Sequence, residues 1–97
     1  MTIKGTLSVK TTVSAKMSKP GDKIIFTAEA SGGKAGYTYK MVVYNKTTKT
    51  WGLVQNFSSN NAITWVAGSA GDREFYIDVK DADGNVARSA VMNVITK

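Results

Sequence analysis

The sequence predicts an all-β domain, a seven-stranded antiparallel β-sandwich. Apolar residues recur at every second position in one segment after another, and no segment keeps the period of an amphipathic helix. Turn-forming residues separate these segments at the spacing typical of sandwiches. The clearest alternation lies within residues 70–85, where every second side chain is apolar: Phe75, Ile77 and Val79. The Asp83-Gly84 step that follows predicts a hairpin into the last strand.

Each strand is delimited by turn chemistry. A proline-glycine turn at residues 19–22 separates the first two strands, and a glycine-rich loop at residues 31–36 precedes the third. Polar turns at residues 45–49 and 58–61 flank the fourth strand, which is typical of a sheet edge. The seven predicted strands are residues 6–13, 23–30, 37–45, 51–57, 62–66, 74–80 and 86–95.

Placing the third, sixth and seventh strands in one sheet predicts a single core between two layers. Ala28 and Ala30 are expected opposite the bulkier Tyr39 and Trp65, so that small and large side chains interdigitate. The sequence leaves open whether the first strand pairs with one sheet or switches between both. The predicted core residues are Phe26, Tyr39, Met41, Trp65, Phe75, Ile77 and Val79.

Composition predicts one non-catalytic domain over residues 1–97. The chain has 97 residues, of which 42% are hydrophobic, enough for one packed core. It contains no cysteine and no histidine, which removes disulfides, thiolate metal sites and the commonest general base. We therefore expect no enzymatic activity and no cofactor. No apolar run approaches the roughly 18 residues that span a bilayer, so membrane insertion is not expected.

The basic character of the chain has two interpretations. The formal net charge is +6, and the cations are scattered lysines, since Arg73 and Arg88 are the only arginines. Nucleic-acid readers cluster their charge and favour arginine, so no specific nucleic-acid binding is expected. Single-stranded nucleic acid held by lysines and exposed aromatic rings is a weaker hypothesis. The lysines either keep sheet edges soluble or attract an anionic polymer such as a cell-wall component.

Four segments together resemble a bacterial family. They are residues 21–33 (GDKIIFTAEASGG), 36–45 (GYTYKMVVYN), 63–65 (ITW) and 70–85 (AGDREFYIDVKDADGN). In this order they resemble the bacterial immunoglobulin-like, triple-tyrosine-type repeat modules of Gram-positive secreted and surface proteins. The resemblance covers about residues 20–95.

The resemblance implies an immunoglobulin-like (fibronectin-like) Greek-key sandwich. It also implies a non-catalytic spacer or adhesion module of a larger extracellular or cell-wall-associated protein. Its partners would be the neighbouring domains of the parent chain, and the isolated domain would be a monomer. One departure is Arg73, which stands where the family often has a corner tyrosine. An arginine at this position could cap backbone carbonyl groups.

Outward-facing aromatic residues are the first candidate site. Alternation places Tyr44 and Tyr76 on the exposed face of the sheet that holds the third and sixth strands, with Lys40 nearby. Trp51 flanks them if the fourth strand joins that sheet. Aromatic rings stack on sugar rings, which predicts a carbohydrate or cell-wall-polymer site. The other interpretation is that these side chains pack across strands or against a neighbouring domain.

An oxygen-rich turn is the second candidate site. Asp81, Asp83 and Asn85 resemble a hard-cation loop, which makes them a weak candidate for calcium. No distal glutamate follows to complete such a loop. An aspartate that bonds its own backbone is also the common chemistry of a tight turn. The turn is the favoured interpretation, and no metal is expected.

Overall fold

The structure, a computed structural model, describes residues 6–97, which form strands and no helix. The predicted all-β class is confirmed. Nine strands occur within this range, most of them within two residues of a predicted one. They are β1 Ser8–Val13, β2 Met17–Ser18, β3 Lys23–Ser31, β4 Thr38–Asn45, β5 Thr50–Ser58, β6 Ala62–Val66, β7 Gly71–Lys80, β8 Val86–Arg88 and β9 Met92–Thr96.

The strands form two sheets. The smaller sheet has the order β1-β3-β6, and the larger has the order β2-β9-β7-β4-β5, with β8 also paired to β7. Every pairing is antiparallel except that of β2 with β9. The third, sixth and seventh predicted strands share the larger sheet, as expected. The two layers are consistent with the predicted sandwich.

The first part of the chain contributes to both sheets. Ser14 makes the last contact with β3, donating its N–H to the carbonyl of Ile25 and accepting the Ile25 N–H on its hydroxyl, each at 2.9 Å. Two residues later, Lys16 accepts the N–H of Ile95 in the other sheet at 2.9 Å. The chain therefore switches between the sheets, which answers the question that the sequence left open.

The core lies between the sheets and contains six of the seven predicted residues. Trp65 is the exception, since it is half-buried on the edge strand β6. Its ring packs edge-on against that of Phe75, with the ring centroids 4.9 Å apart. Ala28 is fully buried and Ala30 packs against the core. The buried predicted residues are Phe26, Tyr39, Met41, Phe75, Ile77 and Val79.

The seventh predicted strand is interrupted, which raises the strand count. Ser89 still pairs with Ile77, donating its N–H to the Ile77 carbonyl at 2.8 Å and accepting the Ile77 N–H on its hydroxyl at 3.0 Å. Pairing resumes only at Met92, opposite Phe75. Between Ser89 and Met92 the chain therefore contains one residue more than the facing segment of β7. The Ser89 hydroxyl, in place of a backbone carbonyl, accepts the Ile77 N–H.

Candidate functional site

The turn between β4 and β5 fixes the register of the first candidate site. Asn45 accepts on its side-chain oxygen the N–H groups of Thr47 and Thr48, at 3.0 and 3.2 Å. Lys49 closes the turn with a φ of 58° and donates its N–H to the Asn45 carbonyl at 2.6 Å. Asparagine favours turns because its side chain bonds the following backbone. The two strands therefore leave the turn in one defined register.

That register brings Tyr44, Trp51 and Tyr76 together on the outer surface of the larger sheet, and we call this group the aromatic face. Tyr44 lies directly opposite Trp51, with ring centroids 4.8 Å apart. The Trp51 ring also lies 5.9 Å from that of Tyr76, although their strands are separated by β4. Trp51 is 60% exposed, and both tyrosines are half-buried.

Arg88 borders the aromatic face. Its guanidinium lies 5.1 Å from the Tyr76 ring centroid and donates two hydrogen bonds to Asp78, at 2.8 and 3.2 Å. This pairing raises the pKa of Arg88, so the cation stays charged. A bidentate partner and a ring together hold the guanidinium in one orientation. Sequence analysis did not find Arg88, because its place depends on the register of β8 against β7.

Lys40, the fourth predicted residue, lies on the same surface but against a different ring. Its ammonium is 5.7 Å from the centroid of Phe57, and the ammonium of Lys80 is 4.4 Å from the same centroid. Sequence analysis missed Phe57 and Lys80 as site residues. The pairing of β5 with β4 is irregular at two places, so simple alternation does not give the orientation of Phe57.

A shallow depression on this surface is lined by residues of both the aromatic face and the group around Phe57. Its volume is about 450 Å³, and both Lys40 and Trp51 line it. Leu53 also lines it and is 58% exposed, a residue that alternation from Trp51 would have identified. The remaining lining residues are Val42, Gly52 and Asn56.

The second candidate site, around Asp81, is a hydrogen-bonded turn. One carboxylate oxygen of Asp81 accepts the N–H groups of Asp83 and Asn85, at 3.0 and 2.9 Å. The other accepts the Lys34 N–H at 3.2 Å and the Asn85 side-chain amide at 3.1 Å. The Asn85 amide, together with the three backbone N–H groups, lowers the pKa of Asp81. These bonds hold Asp81 as an anion within the turn.

The contacts of Asp81 leave its oxygens facing N–H donors. Asp83 lies 4.0 Å from the ammonium of Lys34, and Gly33 approaches Asp81 so closely that a Cβ there would collide with the carboxylate. Within residues 6–97, no three acidic, histidine or cysteine side chains form a group that could hold a metal ion. The arrangement is that of a turn tied to the loop between β3 and β4.

Arg73 performs the capping role that the sequence suggested. The side chain is 8% exposed and donates to the Ser69 carbonyl at 2.9 Å and to the Ser69 hydroxyl at 3.2 Å. Its guanidinium lies 5.4 Å from the ring centroid of Trp65. Arg73 therefore holds the loop before β7 and covers the ring at the edge of the core.

Comparison with known proteins adds no relative. No protein-family model, curated protein or solved structure matches the chain. In the part of the chain that the structure describes, no helix is long and apolar enough to cross a membrane.

Proposed function

We propose that this chain is a non-catalytic immunoglobulin-like adhesion module of a larger extracellular or cell-wall-associated bacterial protein. We further propose that it binds carbohydrate through the aromatic face. The strand orders β1-β3-β6 and β9-β7-β4-β5 support the immunoglobulin-like topology, since they match the A-B-E and G-F-C-C′ sheets of such sandwiches. The resemblance of residues 20–95 to bacterial surface modules supports the cellular context.

The exposure of Trp51 carries the binding proposal. Leaving an indole 60% exposed forgoes part of the roughly 1.5–3 kcal/mol that burying a large apolar side chain provides. Rings of Tyr44 and Tyr76 flank it at 4.8 and 5.9 Å, forming a contiguous apolar surface on a rigid sheet. Contiguous exposed apolar patches mark interaction sites. Neighbouring aromatic rings that also carry phenolic hydroxyls suit the C–H face and the hydroxyl groups of a sugar.

The first prediction tests this surface with Trp51→Ala. Because truncating a central aromatic contact typically costs about 2 kcal/mol, the variant should bind its glycan roughly thirtyfold more weakly. The measurement is co-sedimentation with purified Gram-positive cell wall, followed by titration with glycans that score on an array. Val66→Ala is the matched control, since Val66 is 54% exposed on β6 of the other sheet and should keep wild-type binding.

Two results would contradict carbohydrate binding. If the wild-type chain is retained by neither the wall nor any glycan, the aromatic face is a packing surface for a neighbouring domain, and the module is a spacer. If retention disappears as salt rises and is equal for all polyanions, binding reflects the net charge of +6 alone.

A further inference from the structure

Two lysine ammonium groups converge on one aromatic ring beside the aromatic face. Lys40 from β4 and Lys80 from β7 lie 5.7 and 4.4 Å from the centroid of Phe57. We call Lys40 and Lys80 the lysine pair. Attraction to the ring quadrupole accounts for the position of each ammonium. Because both ammonium groups lie near the same ring, two positive charges are held on one part of the sheet surface.

Within residues 6–97, the lysine pair forms no ion pair with an acidic residue. The carboxylate nearest to Lys40 in the strand register is Asp78, directly opposite it on β7. Arg88 already binds both oxygens of that carboxylate, at 2.8 and 3.2 Å. The positive charge of the pair is therefore left for an anion from outside the chain.

The lysine pair and the aromatic face are parts of one continuous surface. Lys40 and Tyr44 project from the same side of β4, about 14 Å apart at the usual rise of about 3.4 Å per residue. The depression of about 450 Å³ runs between them, with Lys40 and Trp51 in its lining. This length accommodates a run of sugar units rather than a single ring.

We propose that the ligand is an acidic glycan, a polymer of sugar rings that carries carboxylate or phosphate groups. The aromatic face takes a sugar ring, and the lysine pair takes an acidic group further along the same chain. This inference rests on the proposed carbohydrate-binding function and specifies its substrate class. Ammonium groups are compact charges without the bidentate geometry of arginine, so they can donate hydrogen bonds to either a carboxylate or a phosphate.

The test compares polymers that differ in charge. Polygalacturonate and its methyl-esterified form share one sugar backbone, and only the first carries carboxylates. The wild-type chain should bind polygalacturonate about tenfold more tightly at low salt, since two ammonium contacts are added. A teichoic acid that carries sugars serves as the phosphate polymer. Tighter binding of either acidic polymer than of the esterified polymer supports the proposal. Whichever acidic polymer binds more tightly shows whether the preferred acidic group is a carboxylate or a phosphate.

The second arm uses Lys40→Gln combined with Lys80→Gln. This double variant should lose the tenfold preference for polygalacturonate over its esterified form. The matched control is Lys10→Gln combined with Lys23→Gln, which removes the same charge from exposed positions on the other sheet and should keep the preference. Thermal unfolding of both double variants checks that neither effect comes from a loss of fold.

The outcomes separate this proposal from the one on which it depends. Equal binding of the acidic and esterified polymers, or a preference that survives in the Lys40/Lys80 variant, overturns the acidic subsite and leaves carbohydrate binding intact. Binding of none of these polymers, together with no retention by the wall or by any glycan on the array, overturns both. Polyphosphate bound as tightly as polygalacturonate, without any effect of Trp51→Ala, shows attraction by charge alone and also overturns the proposal.

Discussion

At the scale of the residue, Arg73 shows how one buried cation ties a loop to the edge of the core. The guanidinium fork donates to both the carbonyl and the hydroxyl of Ser69, and its central carbon lies 5.4 Å from the centroid of the Trp65 ring. A tyrosine offers one hydroxyl and one ring, whereas the arginine offers several donors and a planar cation. The arginine thus both caps the loop before β7 and packs at the edge of the core.

Arg73→Lys should destabilise the protein by about 1–2 kcal/mol. Lysine keeps the charge but loses the fork that donates to two Ser69 atoms and the flat surface over Trp65. Urea denaturation measures the loss. Ser69→Ala removes only the hydroxyl acceptor and completes a double-mutant cycle. Additive effects of the two substitutions would contradict a direct coupling between these side chains.

At the scale of the element, β7 organises the larger sheet. It pairs with β4 on one side and with β8 and β9 on the other. Its inward side chains at Phe75, Ile77 and Val79 are completely buried. Its outward side carries Tyr76 of the aromatic face and Lys80 of the lysine pair. One strand therefore supplies the core and both parts of the candidate site, because successive side chains point to opposite faces.

Ile77→Ala should cost about 2–5 kcal/mol, because the residue is fully buried and its loss leaves a cavity. Glu74→Ala, on the outward face of the same strand, should cost about 0.5 kcal/mol or less. Denaturant midpoints of the two variants give the comparison. Similar losses at both positions would contradict the assignment of the two faces.

At the scale of the whole molecule, Asp81 links the β7–β8 turn to the crossover between the sheets. The loop that it holds through Lys34 connects β3 of the smaller sheet to β4 of the larger sheet. The bonds from the Asn85 side chain and from the backbone N–H groups of Asn85, Lys34 and Asp83 favour the ionised carboxylate and lower the pKa of Asp81. Protonation of this one side chain therefore weakens the link between the β7–β8 turn and that loop.

The lowered pKa of Asp81 predicts acid sensitivity. The contribution of the Asp81 carboxylate to the free energy of unfolding is complete above the unfolded-state pKa of about 3.9. It is lost as the pH falls through the lower folded-state pKa, because the unfolded chain binds a proton at this site before the folded chain does. In Asp81→Asn, an amide replaces one acceptor and faces the N–H donors of Lys34 or Asn85. The variant should therefore be less stable than the wild type at neutral pH.

Denaturation midpoints across a pH series test this contribution. Asp81→Asn should show a shallower fall in stability than the wild type at acid pH. An unchanged acid slope in Asp81→Asn would assign the pH dependence to other carboxylates.

The sequence by itself determined the all-β class, most strand positions and six of the buried core residues. Period-two alternation is a local property, so Phe75, Ile77 and Val79 identify their own buried face. It also predicted three outward aromatic residues. Only the tertiary structure decided that Arg88 borders Tyr76, that Phe57 joins Lys40 to Lys80, and that the last strand breaks after Arg88. These contacts depend on register and bulges between strands that are distant in sequence, which no local pattern encodes.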